Sequence, residues 1–295
     1  MANPEIVQKS VEATFEEMKK YSPEEYAKIE ADPHLKEFIA EAATFAAGEE
    51  VAFDREFLQN PGEEVVSLLT GTLSVERIQL IQEALTIPTF DMTLEIIPYK
   101  NTKGNDVMLA EFKMEDEEFL PPMEIETLDG INRAKVFQYA SIVIEAVMLA
   151  MQAAGIKVHV SKGTMRSAIK QAATKIKGSS VVQRALQTFV KSWRRAGSNN
   201  WAKARAVFFL LKDCQAGGLF WTIVKSLCKE MSWWDWAKTS AQVTAMIIAA
   251  FASGGAALIA KIFLALLSAA RLVRKISNVI MLEEFEQNLY ESKAE

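Results

Sequence analysis

A chain of 295 residues, 50% apolar and 24% charged, can bury a sizeable core without disulfides or metal, as one large domain or two ordinary ones, which excludes a disordered chain. The net charge of −5 conceals a division: residues 1–130 hold 29 acidic and 10 basic side chains (net −19), residues 131–281 hold 4 and 22 (net +18), and residues 282–295 hold 5 and 1 (net −4). That asymmetry calls for an anionic partner for the basic part, membrane surface or nucleic acid, and for an acidic half that covers it.

The N-terminal part opens with three helix starts, Asn3-Pro4, Ser22-Pro23 and Asp32-Pro33, each a side-chain acceptor followed by proline at the first helical position. Apolar residues at helical spacing (Val7, Val11, Phe15, Met18; Leu35, Phe38, Ala42, Phe45) give each of the first and third helices one buried stripe, and Gly48 is the expected stop of the third. The segment "GEEVVSLLTGTLSVERIQLIQEAL" continues as helix, with a break near Gly71 and a fresh cap at Ser74. Period-two alternation is confined to "DMTLEIIP" and "DVMLAEFKM", which predict a β-hairpin within Asp91 to Met114. The run "EDEEFLPPMEIETLDG" reads as a solvated acidic link that closes this half near Gly130.

From Ile131 the chain becomes apolar and basic. In "VFQYASIVIEAVMLAMQAAG" the polar residues Gln138, Ser141, Glu145 and Gln152 fall on one narrow stripe of a helix that is otherwise apolar all round. It is either the central helix of a bundle or a lipid-inserted helix whose stripe faces a partner or a water path, and Glu145 needs a partner in both cases. Two basic amphipathic helices follow. The first sets Ile169, Ala172, Ala173 and Ile176 against Arg166, Lys170, Lys175 and Lys177. In the second, "VVQRALQTFVKSWRR", Val181, Val182, Ala185, Leu186, Phe189, Val190 and Trp193 oppose Arg184, Lys191, Arg194 and Arg195. Such helices lie in a lipid interface or on the surface of a soluble domain. Turns are expected at "AGSNN", before Trp201, and at "QAGG".

Three tryptophans, Trp233, Trp234 and Trp236, stand at the entrance to "AQVTAMIIAAFASGGAALIAKIFLALLSAA", where an interfacial ring would sit. Between Lys238 and Lys261 lie 22 uncharged residues, enough to cross a bilayer once. The interruption at Ser253, Gly254 and Gly255 instead predicts two apolar arms, Thr239 to Ala252 and Ala256 to Val273, forming a hairpin with Lys261 as its single charge and "RLVRK" as its closing cluster.

This arrangement of aromatics, broken apolar segment and basic cluster resembles the apolar helical hairpin of colicin-type pore-forming domains, and "ASGGAALIA" is similar in texture to circular bacteriocins of saposin-like fold; the likeness covers about 45 residues. It implies a helical bundle that sheathes its hairpin in solution and releases it at a membrane. The acidic half has no counterpart in those families.

The expected fold is therefore mainly α: a helical bundle with a buried apolar hairpin, plus a small acidic α+β part with one β-hairpin. The parts are 1–130 (acidic), 131–281 (basic, apolar, membrane-active) and 282–295 (acidic tail). The expected function is a membrane-active, pore-forming protein of toxin or bacteriocin type that binds anionic lipid through Trp193, Trp201, Trp233, Trp234, Trp236, Arg184, Lys191, Arg194 and Arg195, with self-association into a homo-oligomer as an allowed state. The alternative is a soluble, non-enzymatic interaction protein whose acidic half covers the basic one. Nucleic acid is a poor partner, because long apolar stretches separate the basic residues and no binding module is present. No phosphate loop, nucleophile elbow or ligand cluster marks an enzyme or a cofactor. His34 and His159 are scattered from Cys214 and Cys228, which excludes a zinc site of paired ligands; the cysteines read as buried thiols or as a disulfide. The acidic helical N-terminus has no cleavable leader pattern, so the expectation is synthesis as a soluble protein that reaches a membrane afterwards, by non-classical secretion if it leaves the cell.

Overall fold

A computed structural model of the chain describes residues 4–21, 23–51, 75–87, 92–104, 106–124, 133–253, 255–266 and 269–294. The helices Pro4–Tyr21 (α1), Pro23–Ala31 (α2) and Pro33–Val51 (α3) each begin at the proline that the sequence marks, since proline's missing N–H costs nothing in the first turn. At the start of α3 the Asp32 carboxylate accepts from the His34 amide at 2.9 Å. Gly48 does not end α3, which runs on to Val51; the long face that α3 lays on a later helix outweighs the roughly 1 kcal/mol that a mid-helix glycine costs. The segment "GEEVVSLLTG" and the cap at Ser74 lie outside the described residues. The next helix among the described residues, α4, is Val75–Leu85.

The strands Met92–Lys100 (β1), Asp106–Met114 (β2) and Glu117–Glu124 (β3) form an antiparallel sheet in the order β1-β2-β3. The predicted hairpin is present, with Met92 opposite Met114 and Lys100 opposite Asp106. The acidic link is corrected: "EEFLPPME" is a third strand, because Phe119, Leu120 and Met123 bury themselves against the core. Glu115 and Asp116 make the β2–β3 connection with φ of 51° and 63°, the left-handed pair that a tight type I′ hairpin turn needs. Pro121 and Pro122 are tolerated because β3 is an edge strand, and the pairing shifts between Phe112–Leu120 and Ala110–Met123, where they sit.

Eight helices follow among the described residues: Arg133–Ala153 (α5), Lys162–Lys177 (α6), Ser180–Ala196 (α7), Asn200–Ala216 (α8), Leu219–Leu227 (α9), Trp233–Ser253 (α10), Ala256–Leu266 (α11) and Ala270–Ala294 (α12). The starts of α6, α7 and α8 are capped locally: Ser161, Ser179 and Asn199 accept from the amides of Thr164, Val182 and Ala202. α5 is the axis of the fold. It is apolar on every side but one narrow stripe, so it must be covered all round, and α4, α6, α8, α9, α11 and α12 pack on it. The sheet closes one end through Phe112 and Phe119, whose rings lie 6.0 and 6.5 Å from that of Phe137. α1 and α3 cover α10, and one continuous buried core links acidic and basic halves.

Candidate functional site

The apolar segment singled out by the sequence becomes α10 and α11. α10 packs on α3 and α1, α11 on α8 and α5, and the two make a much smaller contact with each other. The arms are therefore parted by their neighbours more than zipped to one another. Their limits also differ from expectation. The first arm begins at Trp233, so Trp233, Trp234 and Trp236 form the opening turn of α10; the second ends at Leu266, and a separate helix starts at Ala270. The bend holds Ser253 as the last residue of α10 and Gly255 with φ +78°; Gly254 lies outside the described residues, as do the side chains of the three tryptophans. Gly255 is fixed by contact as well as conformation. A Cβ there would stand 2.5 Å from the Phe208 ring, and the Gly255 carbonyl accepts the Ile259 amide at 2.8 Å to start α11. Lys261, on α11, is fully buried.

The second part of the site is the polar stripe of α5. At 100° per residue Gln138, Ser141, Glu145 and Gln152 fall within about 60° of arc. Gln152 donates to the Ala84 carbonyl at 3.1 Å. Glu145 receives Lys275 of α12 at 2.8 Å, with the two side chains 12% and 4% exposed. Gln138 and Ser141 are buried, and among the described residues neither the amide of the first nor the hydroxyl of the second has a hydrogen-bond partner. Each such buried, unpartnered group costs about 1–3 kcal/mol. Sequence patterning finds Glu145 but not its partner, 130 residues away. Of the closing cluster "RLVRK", Arg274 is exposed and Lys275 turns inward.

The third part is the outer face of α7. Arg184, Lys191 and Arg195 are exposed and lie within about 40° of one another around the helix. Arg194 points aside to Glu283 of α12 at 3.5 Å; Glu283 also takes Lys135 at 3.3 Å and accepts from the Tyr139 hydroxyl at 3.2 Å. The tryptophans of this region do not face outward. Trp193 is buried beside Phe189, with Lys203 Nζ 5.3 Å from its ring centre, and Trp201 is buried 6.1 Å from Phe263 of α11. They hold the basic helices to the core, so of the expected interface residues on α7 and α8 only the cations stand on the surface.

Acidic side chains reach across to the basic half at two places. Glu83 meets Lys157 at 2.7 Å, and Glu117 meets Lys162 at 2.6 Å and Arg166 at 3.3 Å. The hydrogen bond from Lys157 holds the Glu83 carboxyl below its ordinary range, and that from Lys162 does the same for Glu117. A third contact escapes sequence reasoning: the Glu230 carboxylate accepts from the Ser161 and Thr164 hydroxyls at the N-terminus of α6, which lowers its pKa and ties the turn after α9 to that helix. Cys214 and Cys228 are separate free thiols, and burial pushes both upward. Among the described residues no three His, Cys, Asp or Glu side chains converge as metal ligands would.

No protein-family model, curated protein or solved structure matches the chain.

Proposed function

We propose that the protein is membrane-active and permeabilises anionic bilayers. In this reading the closed bundle is the stored form. The α7 ridge of Arg184, Lys191 and Arg195 meets anionic head groups, α10 and α11 leave their separate neighbours and enter the hydrocarbon, and Trp233, Trp234 and Trp236 mark the interface at the start of α10. The observation that carries the proposal is the contrast between the arms and their surroundings. Two apolar arms joined at a glycine bend are each wrapped by other helices more than by one another, while an exposed cationic ridge stands on the same bundle.

The energies are of the right order. Polybasic contact contributes about 1 kcal/mol per basic residue near an anionic surface, hence about 3 kcal/mol for the ridge. Entry of apolar side chains into hydrocarbon adds about 25 cal/mol per Å² removed from water, and it offsets the loss of their burial in the bundle. Trp193 and Trp201 reach the interface only as the bundle opens; in the closed form they are core residues.

The ion pairs Glu83–Lys157 and Glu117–Lys162 favour a second reading, a soluble interaction protein in which the acidic half covers the basic half without any membrane step. Dye release from vesicles rich in phosphatidylglycerol, beside phosphatidylcholine vesicles, separates the two. Release confined to the anionic vesicles and reduced by Arg184→Gln/Lys191→Gln/Arg195→Gln supports the proposal. Intact anionic vesicles at saturating protein would leave the soluble reading.

A further inference from the structure

We infer that α5 crosses the membrane as well, as a pore-lining helix, with Gln138, Ser141, Glu145 and Gln152 facing the water path and Glu145 setting a preference for cations; this rests on the permeabilising activity proposed above. Among the described residues α5 is the one unbroken helix long and apolar enough to cross a bilayer, and its 21 residues give it a length of about 32 Å. A helix retained only as the axis of a soluble bundle has no use for polar groups that find no partner there. Among the described residues, Gln138 and Ser141 find none. They continue one line with Glu145 and Gln152, over about 21 Å of helix, most of the hydrocarbon thickness. The two members that are partnered in the closed form borrow their partners from other elements: Gln152 from the end of α4, Glu145 from α12.

Movement of α5 away from α4 and α12 leaves four polar side chains in register on one face. The opposite face, Val136, Ala140, Val143 and Val147, is wholly apolar and suits lipid or a neighbouring helix. Ionisable groups inside a membrane face water or a partner, and a carboxylate on the lumen of a pore attracts cations. Several copies of the helix around one path would place a ring of Glu145 side chains near its middle.

The test uses the full chain with Cys214→Ala and Cys228→Ala, single cysteines at positions 138, 141, 143 and 147, and a membrane-impermeant thiol reagent applied to planar bilayers carrying the current. Block of current at 138 and 141 but not at 143 or 147 is expected. In asymmetric KCl the wild-type reversal potential should favour cations, and Glu145→Gln should bring it toward zero. The same measurement on Glu145→Gln/Lys275→Met removes the unpaired lysine that would otherwise threaten folding. Current that persists with no block at 138 or 141, or with equal block on both faces, or with selectivity unchanged in both Glu145 variants, overturns the assignment of α5 and leaves the permeabilising activity standing. Absence of any current in wild type overturns that activity, and this inference with it.

Discussion

Glu145 and Lys275 join the axis helix to the last helix by an ion pair almost shut off from water, and breaking it from one side should be costly. Lys275→Met keeps the length of the side chain but leaves a carboxylate facing the interior. Loss of one partner of a buried pair costs about 3–5 kcal/mol. Glu145 retains 12% of its side-chain surface, so the lower end, about 3 kcal/mol, applies, or roughly two powers of ten in the folded-to-unfolded ratio. Glu145→Leu should cost a similar amount by stranding Lys275, which is 4% exposed. The double variant Glu145→Leu/Lys275→Met removes both charges and their desolvation together, and should lie within about 1 kcal/mol of wild type or above it. Urea unfolding followed by far-ultraviolet circular dichroism at pH 7 measures all four proteins, and the cycle isolates the coupling. If Lys275→Met unfolds within 1 kcal/mol of wild type, the pair is exposed in solution and the description of α5 as sheathed on all sides is wrong. If the double variant is as damaged as the singles, packing and not charge carries the cost.

Gly255→Ala should destabilise by about 2–4 kcal/mol: roughly 1–2 for a left-handed backbone at a residue with a Cβ, and the rest for a Cβ driven into the Phe208 ring; thermal unfolding reads it, and Phe208→Leu should recover part of the loss. Acid should loosen the contact between the halves. The folded-state pKa values of Glu83 and Glu117 lie below the ordinary carboxylate value of 4.5, so their stabilisation is present above that value and is lost as pH falls through the lowered ones. Amide exchange in α4 and β3, compared at neutral pH and below pH 4, should therefore accelerate ahead of exchange in α5, and equal protection at both would refute the linkage.

Much of the fold follows from local rules. Proline at a first helical turn places the starts of α1, α2 and α3, because it acts within a few residues and needs no knowledge of the rest. Periodicity places the buried face of α7, Trp193 included, and the same pattern argues against that tryptophan as a surface anchor. β3 is obscured by its own chemistry, since two prolines and three glutamates suit a link until Phe119, Leu120 and Met123 find the core. The end of α11 at Leu266 has no glycine or proline to announce it; "LLSAA" reads as continuing helix. The polar stripe of α5 is visible in the sequence as a pattern, but its energetics are not. That Lys275 answers Glu145 while Gln138 and Ser141 go unanswered depends on contacts more than a hundred residues apart, which no window of sequence contains.

The central claim is that the segment from Trp233 to Leu266 leaves the bundle and enters lipid. Ile248 lies in the C-terminal half of α10 and is only partly buried, so an aspartate there is tolerable in the closed form but costs about 2.5–3.5 kcal/mol where the helix carries it to a bilayer centre. Dye release from anionic vesicles by Ile248→Asp, with native circular dichroism and an unchanged urea midpoint as the check on folding, tests the claim most directly. The account predicts that wild type releases the dye and the folded variant does not. Equal release by the two proteins would contradict it.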